Sequence, residues 1–404
     1  MQETWRWFGP QDRIQLSEIR QTGARGIVNA LHEIPYGEVW TVEAITARKA
    51  LIAEDPALGL EWQVVESLPV HERIKLGDGD LEPLFETYRQ SLRNLAACGI
   101  RTVCYNFMPL LDWTRTELAA PVVGGGTSLR FNMHEYVAFD VFMLEREGAA
   151  DDVAPQTLAR AKAWFEASTP ADRERLLTAI NAGLPGAYAR YDVAGLREIL
   201  GRYASITRDD VRANYRRFLE AVVPVAEEAG MRLCVHPDDP PRPLFGLPRV
   251  VSNAEDIAFV LDAVPSPANG LTLCSGSLGA NPANDVPAIA ARFADKIHFA
   301  HLRNVAKDAD GSFEEADHLA GDTDMVALVR VLWAEERRRR AEGRADAEIP
   351  MRPDHGHELL SDIGRGTHPG YPVIGRMRGL AELRGVMAAV ATLDGDAAAH
   401  RVPA

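Results

Sequence analysis

Eight short apolar runs, most of them separated by stretches with helical periodicity, constrain this chain more than any other feature. They are TWRWFG (4–9), RGIVNAL (25–31), EWQVVES (61–67), RTVCYNF (101–107), MRLCVHP (231–237), LTLCSGS (271–277), KIHFAHLRN (296–304) and EIPMRPDHG (348–356). Helix-like stretches such as LEPLFETYRQSLRNLAACG (81–99) and PAIAARFADK (287–296) lie between them. Near-continuous apolar strands alternating with helices are the pattern of a parallel sheet covered on both faces. Eight such units predict an α/β fold, a (β/α)8 TIM barrel. A doubly wound open sheet is the alternative. Length alone suggests about two or three domains. Because barrels of this type form large single units, residues 1–404 are read as one barrel domain.

The fourth and fifth runs are too far apart for one crossover. Residues 108–205 are therefore expected to be a helical insertion between strands 4 and 5, lying over the barrel mouth and helping to close it. Within it, GGGTSLRFN (124–132) reads as a flexible loop, and TLARAKAWFEA (157–167) and PADRERLLTAINAGL (170–184) read as helices. The crossover helix itself is expected over 206–229. Thr207 with Asp210 three residues on is a capping signature, and Gly230 is a plausible stop.

Composition narrows the function. The chain is 46% hydrophobic and 25% charged, ordinary for a globular protein. Its net charge of −14 argues against a nucleic-acid partner, whose binding depends on Lys and Arg. The one basic run, in EERRRR (335–340), reads as a solvated helix end. Apolar runs reach about eight residues, far short of the ~20 that span a bilayer. MQETWRWFGP lacks the basic and apolar regions of a secretory signal. The four cysteines (Cys98, Cys104, Cys234, Cys274) are irregularly spaced inside apolar segments, which fits a reducing compartment. The expectation is a cytoplasmic protein with no membrane partner. The aromatic stretch WRWF is expected in the barrel floor or wall, and Cys98 and Cys104 in the core.

Candidate chemistry lies at the ends of the later strands. The fifth run ends at His236, the sixth at Cys274, the seventh at His301 and the eighth at Asp354. In a parallel barrel the strand C-termini converge on the face that carries the active site. Alternation agrees: His301 shares a face with Phe299 and Arg303, Cys234 with His236, and Arg352 with Asp354. Two imidazoles, a thiolate and a carboxylate suit a divalent transition metal. Softness does not choose the ion, since thiolate leans toward Zn2+ or Fe2+ and carboxylate toward Mn2+ or Mg2+. Each residue also has a plainer explanation. His236 would cap a loop, Cys274 fill space as a small hydrophobe, His301 bond within the core, and Asp354 pair with Arg352 or Arg303. His298 is expected to face the helices. SGSLGAN (275–281) matches neither a P-loop nor a dinucleotide fingerprint and reads as a tight loop.

Taken in order, ALHEIPYGEVW (30–40), HPDDPP (236–241), CSGSLG (274–279), HFAHLRN (298–304), RPDHGH (352–357) and GRGTHPGYPVIGRMRGLAELRG (364–385) closely resemble the mannonate dehydratases, a family among the xylose-isomerase-like barrels. The resemblance covers essentially the whole chain. It implies metal-dependent dehydration of D-mannonate to 2-dehydro-3-deoxy-D-gluconate, a step of hexuronate catabolism, with Mn2+ or Fe2+. It implies His236, Cys274, His301 and Asp354 as ligands and His355 and Tyr371 as acid/base groups. It also implies a homo-oligomer, commonly a dimer, and a small sugar-acid substrate.

That reaction explains the residue set. Removing the C2 proton builds charge beside a carboxylate, which a metal stabilises. One side chain takes that proton and another protonates the departing 3-hydroxyl. Arg303 and Arg352 are candidates to clamp the substrate carboxylate. The sequence leaves open which of His355 and Tyr371 is the base. A sugar isomerase or epimerase of the same barrel group is the nearest rival, but such sites are usually richer in carboxylates. A non-catalytic sugar-acid binder would be expected to lack a ligand or the His355/Tyr371 pair.

Overall fold

A computed structural model describes residues 1–183 and 191–395. Residues 184–190 of the expected insertion and 396–404 of the expected barrel domain lie outside the described residues. Among the described residues, twelve strands form two sheets. The first is a closed barrel of β1 (Gln2–Arg6), β2 (Gly26–Asn29), β3 (Glu61–Glu66), β4 (Thr102–Tyr105), β7 (Arg232–Val235), β8 (Asn269–Cys274), β9 (Ile297–His301) and β12 (Pro350–Arg352). The ring order is β1-β12-β9-β8-β7-β4-β3-β2, and every pairing is parallel. Each of the eight apolar runs overlaps one barrel strand and the barrel is closed, so the open-sheet alternative does not hold.

Helices behave as their end signals require. The helix Arg208–Glu228 is capped by Thr207, whose side chain accepts from Asp210 N, and Asp210 completes the capping box. Gly230 follows its end at φ 63°, a left-handed conformation that suits glycine. Burial sorts the faces of the barrel. Trp5, Ile27, Val65 and Val103 join the main core with the helices. Val28, Val64, Cys104, Cys234 and Phe299 form a separate inner cluster. This inner layer lies below the mouth, because Cys234 and Phe299 each precede a candidate ligand by two residues on the same face. Thr272 Oγ1 donates to Cys104 Sγ at 3.2 Å and ties the layer together.

The second sheet is antiparallel, in the order β10-β11-β6-β5. It joins the hairpin β5 (Glu117–Pro121) and β6 (Thr127–Phe131) to the hairpin β10 (Asn304–Lys307) and β11 (Phe313–Ala316). The region after β4 thus opens with a β-hairpin, and GGGTSLRFN is a glycine turn leading into β6 rather than a loop throughout. Helices follow at Pro155–Ala167, Pro170–Asn181 and Val193–Gly201. β10 starts three residues past His301, so this sheet stands beside the barrel mouth. It packs on its own apolar cluster, which includes Phe131, Phe313, Leu176 and Leu196.

The basic run needs correction. Glu336 and Arg339 are 0% and 1% exposed. Glu336 pairs with the N-terminal amine at 2.9 Å and accepts from Ile349 N at 2.7 Å. Arg339 pairs with Glu335 and donates to the carbonyls of Ala294 and Ile297. These charges pin the starts of β1, β9 and β12 at the barrel's lower end, so only part of the run is solvated. The alternating acids and arginines satisfy one another, which permits the burial.

Candidate active site

The barrel strands deliver the four ligand-type residues to one place. A ring nitrogen of His236, Cys274 Sγ and a ring nitrogen of His301 lie within 4.8 Å of one another. His236 Nε2 is 3.1 Å from His301 Nδ1. Asp354 Oδ2 lies 3.6 Å from Cys274 Sγ and 3.8 Å from His301 Nδ1. Donors at about 2.0–2.3 Å from one ion would be separated by roughly such distances.

The imidazoles are oriented from behind. His236 Nδ1 is 2.7 Å from the Pro237 carbonyl, which requires the proton there and turns the Nε2 lone pair inward. His301 Nε2 lies 3.4 Å from Glu66 Oε1, leaving Nδ1 to face inward. These two nitrogens and the Cys274 sulfur face one another at the end of the barrel, a donor set that fits a metal ion. Charge agrees. Burial would raise the Cys274 thiol, but the Arg303 guanidinium and His236 override it and hold it well below the usual thiol range. Burial would lower His236, but Cys274 and the carboxylates of Glu66 and Asp354 raise it to about 10. The thiolate is the state that a metal ligand needs, and an ion bound there would take the place of the His236 proton.

A cavity of about 560 Å3, including its open mouth, lies above this cluster. His236, Arg352, Asp354, His355 and Tyr371 all line it. His355 Nδ1 is 3.0 Å from Glu315 Oε1, which leaves Nε2, 4.0 Å from Asp354 Oδ1, without a hydrogen bond among the described residues. Its ring meets that of Tyr371 edge-on, with centroids 5.0 Å apart. Burial raises the Tyr371 phenol, opposed by Arg352 and reinforced by Asp354 and Glu66. Arg376 donates to the carbonyls of Pro372 and Tyr371 and anchors the segment that carries this tyrosine.

The two arginines expected to clamp substrate differ. Arg352 lines the cavity and bonds Glu66 at 2.9 and 3.1 Å, with Asp354 as a further partner. Arg303 does not line it. Its Nε donates to Asp354 at 2.7 Å, Nη1 to Glu315 at 2.7 and 2.9 Å, and Nη2 to Asp239 at 2.6 Å and Ser277 at 3.1 Å. With these donors engaged inside the wall, Arg303 holds Asp354 and Glu315 and is not available as a clamp. Arg115 completes the cluster by donating to Asp239 and Glu315.

Several cavity residues escaped the sequence reading: Arg6, Phe8, Glu66, Asn106, Asp112 and Trp113. The strand-end rule applied to the later strands would have found three of them, because Arg6 and Glu66 end β1 and β3 and Asn106 follows β4. Within WRWF, the tryptophans face the helices and Arg6 and Phe8 face inward. Glu315 had no such signal, since β11 was not expected. His298 lies outside the cluster, buried with no hydrogen bond to either ring nitrogen among the described residues. Cys104 is core and Cys98 only partly buried.

Residues 1–395 match the family model of D-mannonate dehydratase (UxuA). The chain belongs to the D-mannonate dehydratase family. Membership makes it a hydro-lyase. It is 56% identical to a mannonate dehydratase of Chromohalobacter salexigens over 97% of this chain and 100% of that one. It is 52% identical to one of Marinomonas sp. over 96% and 98%. Among solved structures, the mannonate dehydratase of Streptococcus suis serotype 2 superimposes with a TM-score of 0.76 at 34% identity, covering 98% of this chain and 95% of that one. No helix among the described residues is long and apolar enough to cross a membrane.

Proposed function

We propose that this dehydratase converts D-mannonate to 2-dehydro-3-deoxy-D-gluconate and water, with Mn2+ or Fe2+ held by His236, Cys274, His301 and Asp354. The observation that carries the reading is the meeting of two imidazole nitrogens and a sulfur within 4.8 Å, with a carboxylate oxygen 3.6 Å from that sulfur. A divalent ion bound there supplies Lewis acidity toward the oxygens next to the reacting carbon. The chain's own residues do the rest. His355 Nε2 takes the C2 proton, its ring held by Glu315 through Nδ1. Charge then builds on the substrate carboxylate, where Arg352 opposes it. Tyr371, a neutral phenol because burial raises it, protonates the 3-hydroxyl as the C3–O bond breaks and water leaves. The resulting enol takes a proton at C3 and becomes the 2-keto acid, so one water is lost and nothing is oxidised. Phe8 and Trp113 line the same cavity and limit the entry of solvent.

The test is product formation. Metal-supplied protein incubated with D-mannonate is expected to release a 2-keto-3-deoxy acid, carrying one solvent deuterium at C3 when the reaction runs in D2O. No keto acid with either ion would overturn the reading.

A further inference from the structure

The cavity wall holds one cation that no role above uses. Arg6, at the end of β1, is 5% exposed and lines the cavity. Among the described residues it has no carboxylate at ion-pair distance. Its hydrogen bonds run to two neutral acceptors, His32 Nε2 at 2.8 Å and the Val28 carbonyl at 3.5 Å. His32 stays uncharged, because burial and the neighbouring Arg6 and Arg48 lower it to about 3. The nearby acid, Glu66, is engaged by Arg352. A buried guanidinium carries five donors and is costly without a counter-ion. One that faces a cavity is stabilised by an anion arriving there.

The opposite wall has the reverse character. In the ring order, β7 is four strands from β1 and β4 is four strands from β12. In a ring of eight, the β1–β12 side therefore faces the β7–β4 side. Asn106 and Asp112 follow β4 and line the cavity there. Asn106 Nδ2 donates to Asp112 Oδ2 at 2.6 Å, and Asp112 Oδ1 bonds no described residue. Ser67, Asn106 and Asp112 also line a smaller chamber that runs on toward Tyr36 and Lys75. The acceptor pair thus lines both spaces.

We propose that the substrate lies across the barrel mouth, its carboxylate on Arg6 beside Arg352 and the hydroxyls of its far carbons on Asp112 and Asn106. This rests on the sugar-acid reading above and adds a direction to it. A carboxylate with a free oxygen accepts hydroxyl protons and repels another carboxylate. The reverse orientation sets two anions together and leaves Arg6 unpaired. Asp112 then reads chain length and hydroxylation, whereas Arg6 reads only the acid.

The experiment measures binding by calorimetry in a Tyr371→Phe background, in which D-mannonate binds and is turned over only slowly. The probes are D-mannonate and the four-carbon acid L-erythronate, which keeps the C2 and C3 configuration of D-mannonate, titrated into Mn2+-supplied protein of that background. Arg6→Gln is expected to weaken both acids about ten- to a hundredfold, the scale of a charge-assisted bond. Arg6→Lys, which keeps the charge, recovers part of the loss. Asp112→Asn is expected to weaken D-mannonate about three- to tenfold and leave L-erythronate within about twofold. Each variant is compared at an unchanged melting temperature. Unaltered affinities in both Arg6 variants, or equal loss of both acids in Asp112→Asn, would overturn the orientation. If the unaltered protein makes no keto acid, the functional reading fails. If it does and the variants show the contrary pattern, only the orientation fails.

Discussion

Glu315 Oε1 lies 3.0 Å from His355 Nδ1, although one residue belongs to the small sheet and the other follows a barrel strand. β11 of the small antiparallel sheet supplies the carboxylate, and the segment after β12 supplies the imidazole. Burial would raise Glu315, but Arg303, His355 and Arg115 override it and hold it ionised. The carboxylate thereby fixes the tautomer and aim of the histidine. Glu315→Gln is expected to lower kcat about ten- to a hundredfold with KM within about threefold, read by steady-state kinetics. Glu315→Ala strands the buried guanidinium groups and is expected to cost about 3–5 kcal/mol in urea denaturation.

Tyr371 offers a cleaner separation of activity from stability. Its hydroxyl bonds no described residue, and its ring is held by Phe8 at 4.9 Å and His355 at 5.0 Å between centroids. Tyr371→Phe keeps those contacts and removes one proton donor. The expected result is a fall in kcat of about 10²–10⁴ with a stability change within about 0.5 kcal/mol.

The wall that holds the site is acid-sensitive. Burial would raise Asp239, but Arg115 and Arg303 override it and lower it to about 2. An unfolded aspartate titrates near 3.9. A depressed carboxylate contributes stability that is full above the unfolded value and is lost as pH falls through the folded one. Urea midpoints are therefore expected to fall between about pH 4 and pH 2. Asp239→Asn should be less stable at pH 7 and show a flatter decline across that window.

Gly375 controls the approach of the helix Val373–Leu393 to the site loop. A Cβ at this position would lie 1.9 Å from the His357 carbonyl oxygen, which is backbone. A helical glycine replaced by alanine ordinarily gains about 0.5–1 kcal/mol. Here overpacking is expected to reverse the sign, with Gly375→Ala losing about 1–3 kcal/mol in thermal melts.

The barrel was legible because its strands are buried on both faces, so each appears as an apolar run without alternation. β8, Asn269–Cys274, is buried at every position. The small sheet was not legible because its strands, similar in length to those of the barrel, are only partly buried and break up their apolar positions with residues such as Glu117, Arg130, Lys307 and Glu314. That gap hid Glu315 and made Arg303 look free to meet substrate. The metal-type residues stood out because His, Cys and Asp at strand ends are conspicuous among apolar neighbours. Arg6 ends a strand too, but its tryptophan neighbours drew the reading toward packing. Burial of EERRRR could not be read locally, since the partners of Glu336 are the N-terminus and β12, far away in the chain.

The central claim is that four strand-end side chains build one metal centre on which dehydration depends. The most direct test strips the protein with chelator, restores Mn2+, and measures bound metal and keto-acid formation together for the unaltered chain and for Cys274→Ser. The account predicts one ion per chain and metal-dependent product, with both strongly reduced in the variant. Full activity in the stripped protein, or Cys274→Ser that binds metal and turns over D-mannonate as before, would contradict it.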